Sequence, residues 1–218
     1  MKCNVCLSLK LNEKEKLDQL IERIEAKKPD LVEFRLDEVS DTTILRRITA
    51  KKSYPAIATD KSNRISTPQI LEQAAKAGFE YIDIDLCTSN IQSRISQLKE
   101  DGAKVIISSH DLAKTPPIDQ LREVLEAEAK TGADMCKVVT TALQARDNLT
   151  VLDFVAEEAA KVSLVSFAMG QRGIPSRVLS PLFGAAFTFA SLTEESKTAE
   201  GQLSMDQLRN AWQILGIQ

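Results

Sequence analysis

The 218-residue chain has few of several residue types that mark particular classes of protein. It has one histidine and eight glycines, and aromatic residues make up only 5% of it. No apolar run approaches the roughly 20 residues that a membrane-spanning helix needs. The N-terminal segment becomes charged after nine residues and has no signal-peptide cleavage site. We therefore expect a cytoplasmic protein with no membrane partner.

An excess of charge of one sign is also lacking, since 28 basic and 31 acidic residues leave a net charge of -3. Nucleic-acid-binding domains usually carry clustered basic residues, so we expect no nucleic-acid partner. No G-x-G-x-x-G follows the first strand-like run, and dinucleotide binding therefore has no support. Cys3 and Cys6 form a C-x-x-C pair, but residues three apart on a strand point to opposite faces. We interpret all four cysteines as small, buried, reduced thiols, and we expect no metal site.

The sequence does contain a regular alternation of strand-like and helix-like segments. Apolar, β-branched runs lie at 3–9, 31–36, 54–59, 80–86, 104–110, 134–140, 162–168 and 185–192. Segments with helical spacing of apolar residues lie between these runs. Short connections between alternating elements favour parallel strands, and eight such units predict a compact (β/α)₈ TIM barrel. We expect residues 1–218 to form this single domain; an open doubly wound sheet is the alternative.

Local signals agree with these helix boundaries. Asn12 and Glu15 have the spacing of a capping box, and Thr67-Pro68 is typical of a helix start. Gly78, Gly102 and Gly132 fall just after helical patterns, where a C-cap is expected.

Lys137 interrupts the stretch ADMCKVVT, residues 133–140, which otherwise has the pattern of a buried strand. A strand covered on both faces is normally a nearly continuous apolar run. A lysine near a strand end often extends its ammonium group to solvent. Burial would instead lower the lysine pKa, and a neutral amine can form a Schiff base with a ketone. The pattern leaves both interpretations open.

Other polar residues also occur late in strands, where barrels place their active sites. His110, the sole histidine, ends the preceding strand and suits proton transfer near neutral pH. Period-two alternation puts Glu33 and Arg35 on the inward face, either as site residues or as a structural ion pair. Asp83 and Asp85 also share a face, as supporting carboxylates or as polar filling of the barrel mouth.

Polar residues that follow the last two strands indicate an anion site. Arg172 and Arg177 come after the seventh strand, and Thr198 and Gln202 come after the eighth. Arginine binds carboxylate or phosphate through paired hydrogen bonds, and barrels often hold phosphate in these loops. The pattern alone does not say which anion is bound.

The motifs EFRLD, SSHD, KVVT, GIPSR and GQL, in this order and spacing, resemble those of type I 3-dehydroquinate dehydratase. That family is a (β/α)₈ barrel and the Schiff-base enzyme of the shikimate pathway. The resemblance implies that Lys137 forms an imine with the C3 ketone of 3-dehydroquinate. It also implies that His110 removes a proton from C2 and then protonates the departing C1 hydroxyl, a syn elimination without a cofactor.

The resemblance further implies a substrate-binding set: Ser8, Glu33, Arg35, Asp60, Arg177, Thr198 and Gln202. Asp60 stands where the family has an arginine, and Arg64 stands where it has a glutamate thought to assist the histidine. The charges at these two positions are therefore exchanged, and Asp83 or Asp85 is a candidate replacement for the glutamate. The polar loop at 60–66 would suit a lid, and the family is often dimeric, so a homodimer is possible.

Two other functions remain as alternatives. One is a class I aldolase-type barrel that acts on a sugar phosphate, which would need a phosphate-binding loop after strands seven and eight. The segment GQRG is the one candidate for such a loop, because glycines are sparse elsewhere. The other is a non-catalytic barrel that binds a small carboxylate, which would not need both Lys137 and His110.

Overall fold

The computed structural model of the chain describes residues 3–11, 16–62 and 67–217. The predicted capping pair Asn12 and Glu15 lies outside the described residues. Arg64 also lies outside them, as does most of the predicted lid at 60–66.

Strands form at all eight predicted runs, and one short strand is added near the C-terminus. They are β1 (Val5–Lys10), β2 (Leu31–Arg35), β3 (Ala56–Thr59), β4 (Tyr81–Asp85), β5 (Lys104–His110), β6 (Met135–Thr141), β7 (Leu164–Met169), β8 (Thr188–Ser191) and β9 (Leu203–Ser204). All the strand pairs are parallel.

Helices connect the strands and cover the outside of the sheet. They are α1 (Leu17–Lys27), α2 (Thr43–Thr49), α3 (Thr67–Ala77), α4 (Ile91–Glu100), α5 (Ile118–Lys130), α6 (Asp147–Glu158), α7 (Ile174–Leu179) and α8 (Met205–Ile214). Short 3₁₀ turns flank α7 at Gln171–Gly173 and Ser180–Phe183. None of the described helices is long and apolar enough to cross a membrane.

The sheet curls into a barrel, with strand order β7-β6-β5-β4-β3-β2-β1-β8-β9. Within the described residues, β7 and β8 share no ladder, but the Ala186 amide donates a 2.8 Å hydrogen bond to the Leu164 carbonyl. Inside the barrel, the rings of Phe167 on β7 and Phe189 on β8 meet edge to face at 6.0 Å. The predicted (β/α)₈ architecture is confirmed, with a loosely joined seam between these two strands.

Side-chain alternation along the strands divides the apolar residues into layers. The larger layers lie between sheet and helices, where the apolar stripes of α1, α3 and α5 pack. A smaller cluster fills the barrel interior with side chains such as Cys6, Ile57, Ile106 and Phe187. Polar side chains occur farther along the same inward faces, such as Ser8 two residues after Cys6. The interior therefore has an apolar floor beneath a polar upper layer.

The helix-end and cysteine predictions are mostly correct. Gly78, Gly102 and Gly132 follow helices with φ of 97°, 90° and 85°, as the left-handed C-cap conformation requires. All four cysteines are free, but only Cys3, Cys6 and Cys136 are buried. The prediction of burial is wrong for Cys87, which is exposed because it follows the end of β4 in a surface turn.

Gly201 allows a close approach between the loops that follow β7 and β8. Its φ is +72°, and a Cβ at this position would overlap the Gly170 carbonyl oxygen. The Gly170 amide also donates a 3.2 Å hydrogen bond to the Glu200 carbonyl. No side chain larger than hydrogen fits here without moving one of the two loops.

We predict that Gly201→Ala destabilises the protein more than the matched control Gly216→Ala. Gly216 has nearly the same φ, +70°, but among the described residues a Cβ there meets no heavy atom within 4 Å. The control should cost about 1 kcal/mol for the left-handed backbone. Gly201→Ala should cost a further ~1–3 kcal/mol for overpacking, measured by urea unfolding. Equal losses of unfolding free energy in the two variants would contradict the close approach of Gly201 to the Gly170 carbonyl.

Candidate active site

A cavity of about 380 Å³ opens at the C-terminal ends of the barrel strands. Eight of the nine residues predicted from the sequence line it: Ser8, Glu33, Arg35, His110, Lys137, Arg177, Thr198 and Gln202. The barrel topology brings them together because parallel strands all end at the same rim. Asp60 is the ninth, and it does not line this cavity.

Lys137 extends from β6 into the barrel interior and is 6% exposed. Its Nζ donates a 2.8 Å hydrogen bond to Asp83 Oδ2 and lies 3.6 Å from Glu33 Oε1. The same atom lies 4.7 Å from the centre of the Phe189 ring. The ammonium group therefore ends among two carboxylates and an aromatic face instead of reaching solvent.

The pKa of Lys137 differs from the sequence-based expectation. Desolvation by burial is the largest influence and lowers the pKa, as expected. The charges of Asp83 and Glu33 and the Asp83 hydrogen bond outweigh it, so the pKa is raised above its usual value. The lower pKa that burial alone would give Lys137 is therefore not found, because two carboxylates that the sequence did not reveal lie beside the amine.

Asp83 is shared by two lysines. Its Oδ1 lies 3.0 Å from Lys61 Nζ, while its Oδ2 accepts from Lys137. The Ser108 hydroxyl donates to Asp83 at 2.6 Å and accepts from Lys61 Nζ at 2.8 Å. Burial tends to raise the pKa of this aspartate, but the two lysine charges and the hydrogen bonds hold it far below its usual range. Asp83 is therefore a structural counter-ion of the site.

Glu33, the other carboxylate near Lys137, belongs to a second hydrogen-bond group. It accepts from the Ser8 hydroxyl and, at 2.9 Å, from the Thr59 hydroxyl. Ser8 Oγ lies 2.9 Å from Thr198 Oγ1, and Thr198 donates to Gln202 Oε1 through its amide at 2.7 Å. This chain of contacts links strands β1, β2 and β3 to the loop after β8.

Arg35 pairs with Asp37 through two hydrogen bonds, from Nε at 2.9 Å and from Nη2 at 2.8 Å. Because Glu33 is bonded elsewhere, the structural ion pair between Glu33 and Arg35 does not form among the described contacts. The Asp37 carboxylate also accepts from the Lys61 amide at 2.9 Å. Asp37 thereby holds both Arg35 and the start of the loop that carries Lys61.

Asp60 is buried but turned away from the cavity. Its carboxylate accepts from the Ser62 amide at 2.8 Å and from the Ser62 hydroxyl, so it stabilises the turn after β3. The next residue, Lys61, extends into the cavity instead. Asp60 therefore does not join the other predicted residues in the cavity lining, whereas the cation one residue later does.

Arg177 is the cavity cation that has no counter-ion among the residues that the structure describes. It is 2% exposed, and its guanidinium group lies 4.2 Å from the centre of the Phe167 ring. Its Nη2 donates to the Glu200 carbonyl at 3.3 Å, and its buried Nε has no hydrogen-bond partner within the described part of the chain. Desolvation lowers its pKa to about 10. A buried, uncompensated guanidinium is a strong binding site for a carboxylate or phosphate.

His110 lies at the end of β5 and is half-buried beside these cations. Among the described residues its ring makes no hydrogen bond, and Asp83 and Asp85 therefore do not orient it directly. Burial, and next the charges of Lys137 and Lys61, lower its pKa to about 3. At neutral pH the imidazole is consequently uncharged and able to accept a proton.

The site thus combines a buried amine, an uncharged imidazole and a buried anion-binding group in one cavity. The family model for type I 3-dehydroquinase matches residues 5–218. The chain belongs to the type I 3-dehydroquinase family. Membership covers almost the whole barrel, including every strand that contributes to the cavity.

Individual type I 3-dehydroquinases resemble the chain over different lengths. The 3-dehydroquinate dehydratase of Dehalococcoides mccartyi strain BAV1 is 38% identical over 148 residues, which cover 68% of this chain and 66% of that relative. The chain thus spans just under two thirds of that relative's length. The Methanosarcina mazei 3-dehydroquinate dehydratase is 30% identical over 207 residues, 85% of each chain. The crystal structure of the Geobacillus kaustophilus enzyme has the same fold, with a TM-score of 0.85 at 23% identity, covering 99% of this chain and 91% of that one.

Lys61 is a charged cavity residue that the sequence-based prediction missed. It follows β3 directly, at the rim where barrel sites lie, and that position is the signal that could have identified it. The family pattern drew attention to position 60, where the dehydroquinase family has an arginine. In this chain the cation that reaches the cavity comes from the following residue.

We predict that His110 does not titrate between pH 5 and 8. The chain has one histidine, so imidazole NMR resonances report His110 alone. Lys61→Met should raise the pKa of His110, because the substitution removes one of the cations that lower this pKa and leaves the charge of Asp83 less neutralised. Replacement of the exposed Lys114 by Met is the matched control and should have no effect. A wild-type midpoint near 6.5 would contradict this arrangement of charges.

Proposed function

We propose that this chain is a 3-dehydroquinate dehydratase, a hydro-lyase that converts 3-dehydroquinate to 3-dehydroshikimate in the shikimate pathway. The observation that carries the proposal is that the Lys137 amine, the uncharged His110 and Arg177, which has no counter-ion among the described residues, line one cavity. Membership of the type I 3-dehydroquinase family supports this reaction over others that a lysine in a barrel could perform.

In the first step, Lys137 Nζ attacks the C3 ketone, and water leaves to form an iminium ion. The amine must first lose a proton, which the raised pKa opposes. Asp83 and Glu33, the two carboxylates that favour the ammonium form, also favour the iminium ion. The ammonium and iminium groups each carry one positive charge at this position. Lys61 stays bound to Asp83 throughout, so this carboxylate keeps a partner while Lys137 is uncharged.

In the second step, the iminium withdraws electrons from C2, and His110 takes a proton from that carbon. The C1 hydroxyl then departs with the proton from the imidazolium, which returns His110 to its uncharged form. Nearby cations oppose a charged imidazolium, so they favour rapid transfer of the proton to the leaving group. Water finally hydrolyses the product imine and releases Lys137.

Arg177 is our choice for the substrate carboxylate, because it is a buried cation to which no described residue supplies a counter-ion. Gln202 supports the same end of the substrate, since the Nε2 group of its amide makes no hydrogen bond among the described residues. The ring hydroxyls would lie against acceptors and donors arranged around the rest of the cavity: Ser8, Glu33, Arg35 and Thr198.

The sugar-phosphate alternative has less support. It needs a phosphate-binding loop at the segment GQRG, but Arg172 in that loop is exposed and donates to the Leu143 carbonyl. A non-catalytic carboxylate-binding barrel would account for Arg177, but it has no use for an amine and an imidazole beside the same anion site. A single domain over 1–218, a cytoplasmic location and a homodimer stay predictions from the sequence.

We predict that borohydride traps a covalent adduct on Lys137 in the presence of 3-dehydroquinate. Reduction of the imine adds the mass of the bound ligand less one oxygen, and peptide mass spectrometry locates it. Lys137→Met should abolish both adduct and turnover. The control Lys61→Met should keep adduct formation, because Lys61 does not form the imine. Absence of both adduct and turnover in the wild-type protein would exclude the proposed function.

We predict that His110→Ala lowers kcat by about 10²- to 10⁴-fold, the usual contribution of a general acid–base group. Adduct trapping on Lys137 should persist, because imine formation depends mainly on the amine. Turnover assays and trapping on the same preparation separate the two steps. Wild-type turnover in this variant would remove His110 from the mechanism.

A further inference from the structure

We propose that Glu128 is a positioning residue that holds Lys137 and His110 from behind the sheet, an inference that rests on the proposed function. Glu128 lies on α5, outside the barrel, and is 0% exposed. It does not line the cavity, and the mechanism above does not use it.

Its two carboxyl oxygens contact two adjacent strands. The Lys137 backbone amide donates to Oε2 at 2.9 Å, and the Ser109 hydroxyl donates to Oε1 at 2.7 Å. Ser109 directly precedes His110, and alternation along β5 turns its side chain toward the helices while His110 faces the cavity. One carboxyl group therefore fixes β6 at the lysine and β5 beside the histidine.

A carboxyl group is unexpected at this place on α5. Leu121 and Leu125 precede Glu128 on the same buried stripe and pack in the apolar layer with Cys136 and Val138. Burying a polar group there costs free energy unless it is hydrogen-bonded. An apolar side chain would avoid the cost of burying a carboxyl group, but it would leave the Lys137 amide and the Ser109 hydroxyl without this acceptor. What the glutamate adds is the pair of hydrogen bonds to the catalytic strands.

Desolvation at this buried position favours the neutral form of the Glu128 carboxyl group. Burial raises its pKa to about 8, Asp83 adds to the increase, and Ser109, the Lys137 amide and the Lys137 charge oppose it. The Cys136 thiol is the other titratable group that faces it. In the neutral form, Oε2 still accepts from the Lys137 amide, and the carboxyl proton on Oε1 can be donated to the Ser109 oxygen. Glutamine reproduces this pattern, with its oxygen toward Lys137 and its NH₂ group toward Ser109.

The test compares Glu128→Gln with Glu128→Met, which keeps the side-chain volume but removes both hydrogen bonds. If Glu128 positions the two catalytic residues, Glu128→Met should lower kcat by about 100-fold, the effect of a small misplacement. KM should change less than threefold, and Glu128→Gln should stay within threefold of wild type. Glu126→Gln, an exposed position on the same helix, is the control and should match wild type.

A second readout follows the protonation of Glu128 without substrate. Its pKa is higher in the folded protein than in the unfolded chain, so its contribution to stability falls as pH rises from about 4.5 to about 8. The glutamine of Glu128→Gln does not titrate, so this variant does not lose that contribution to stability as pH rises. The melting temperature of Glu128→Gln relative to wild type should therefore increase between pH 5 and 9, while that of Glu126→Gln should not.

Wild-type kcat in Glu128→Met, or an equal loss in Glu128→Gln, would overturn the inference. If Glu128→Met fails to fold, Ser109→Ala serves in its place, because it removes one of the two hydrogen bonds. This variant should lower kcat at least several-fold at unchanged KM. Wild-type kcat in Ser109→Ala would equally overturn the inference. Failure of the proposed function is distinguishable, because the wild-type protein itself would then show no turnover and no trapped adduct.

Discussion

The ammonium group of Lys137 lies inside a parallel barrel, where such strands normally carry apolar side chains, and two carboxylates keep it there. Removing a charge from water is costly unless it is paired. The inner faces of the neighbouring strands therefore carry polar groups in the upper layer: Ser8, Glu33, Thr59, Asp83 and Ser108. The presence of a polar upper layer above the apolar floor of the barrel interior follows from this one buried cation.

Positive charge without a carboxylate partner is concentrated on one side of the cavity. Lys137 and Lys61 share Asp83, and Arg35 is bound by Asp37, so three of the four cations have carboxylate partners. Arg177 alone has none among the described residues. A negatively charged ligand is thus attracted to one side of the cavity, away from Asp83. This asymmetry would place a carboxylate near Arg177 and leave the opposite end of the ligand to reach the amine.

Support for the cavity side chains extends beyond the cavity wall. Glu128 on α5 contacts β5 and β6 from outside, and Asp37 holds both Arg35 and the start of the loop that carries Lys61. Catalysis depends on holding groups within a fraction of an ångström, and residues outside the cavity can set that geometry. The outer layer of this barrel therefore contributes to the site as well as to stability.

Much of this arrangement is determined by the sequence itself. The alternation of strand and helix patterns identified the barrel, because each element buries a face of fixed period. Lys137, His110 and Arg177 were identifiable because charged or titratable residues at strand ends reach the rim of a barrel. The partners of these residues were not identifiable. Asp83 meets Lys137 across 54 positions of sequence. The cavity receives Lys61 instead of Asp60, and Glu128 lies on the buried face of its helix beside apolar residues. Ion pairing and hydrogen bonding act through space, so only the tertiary structure decides which charges meet and which direction each pKa takes.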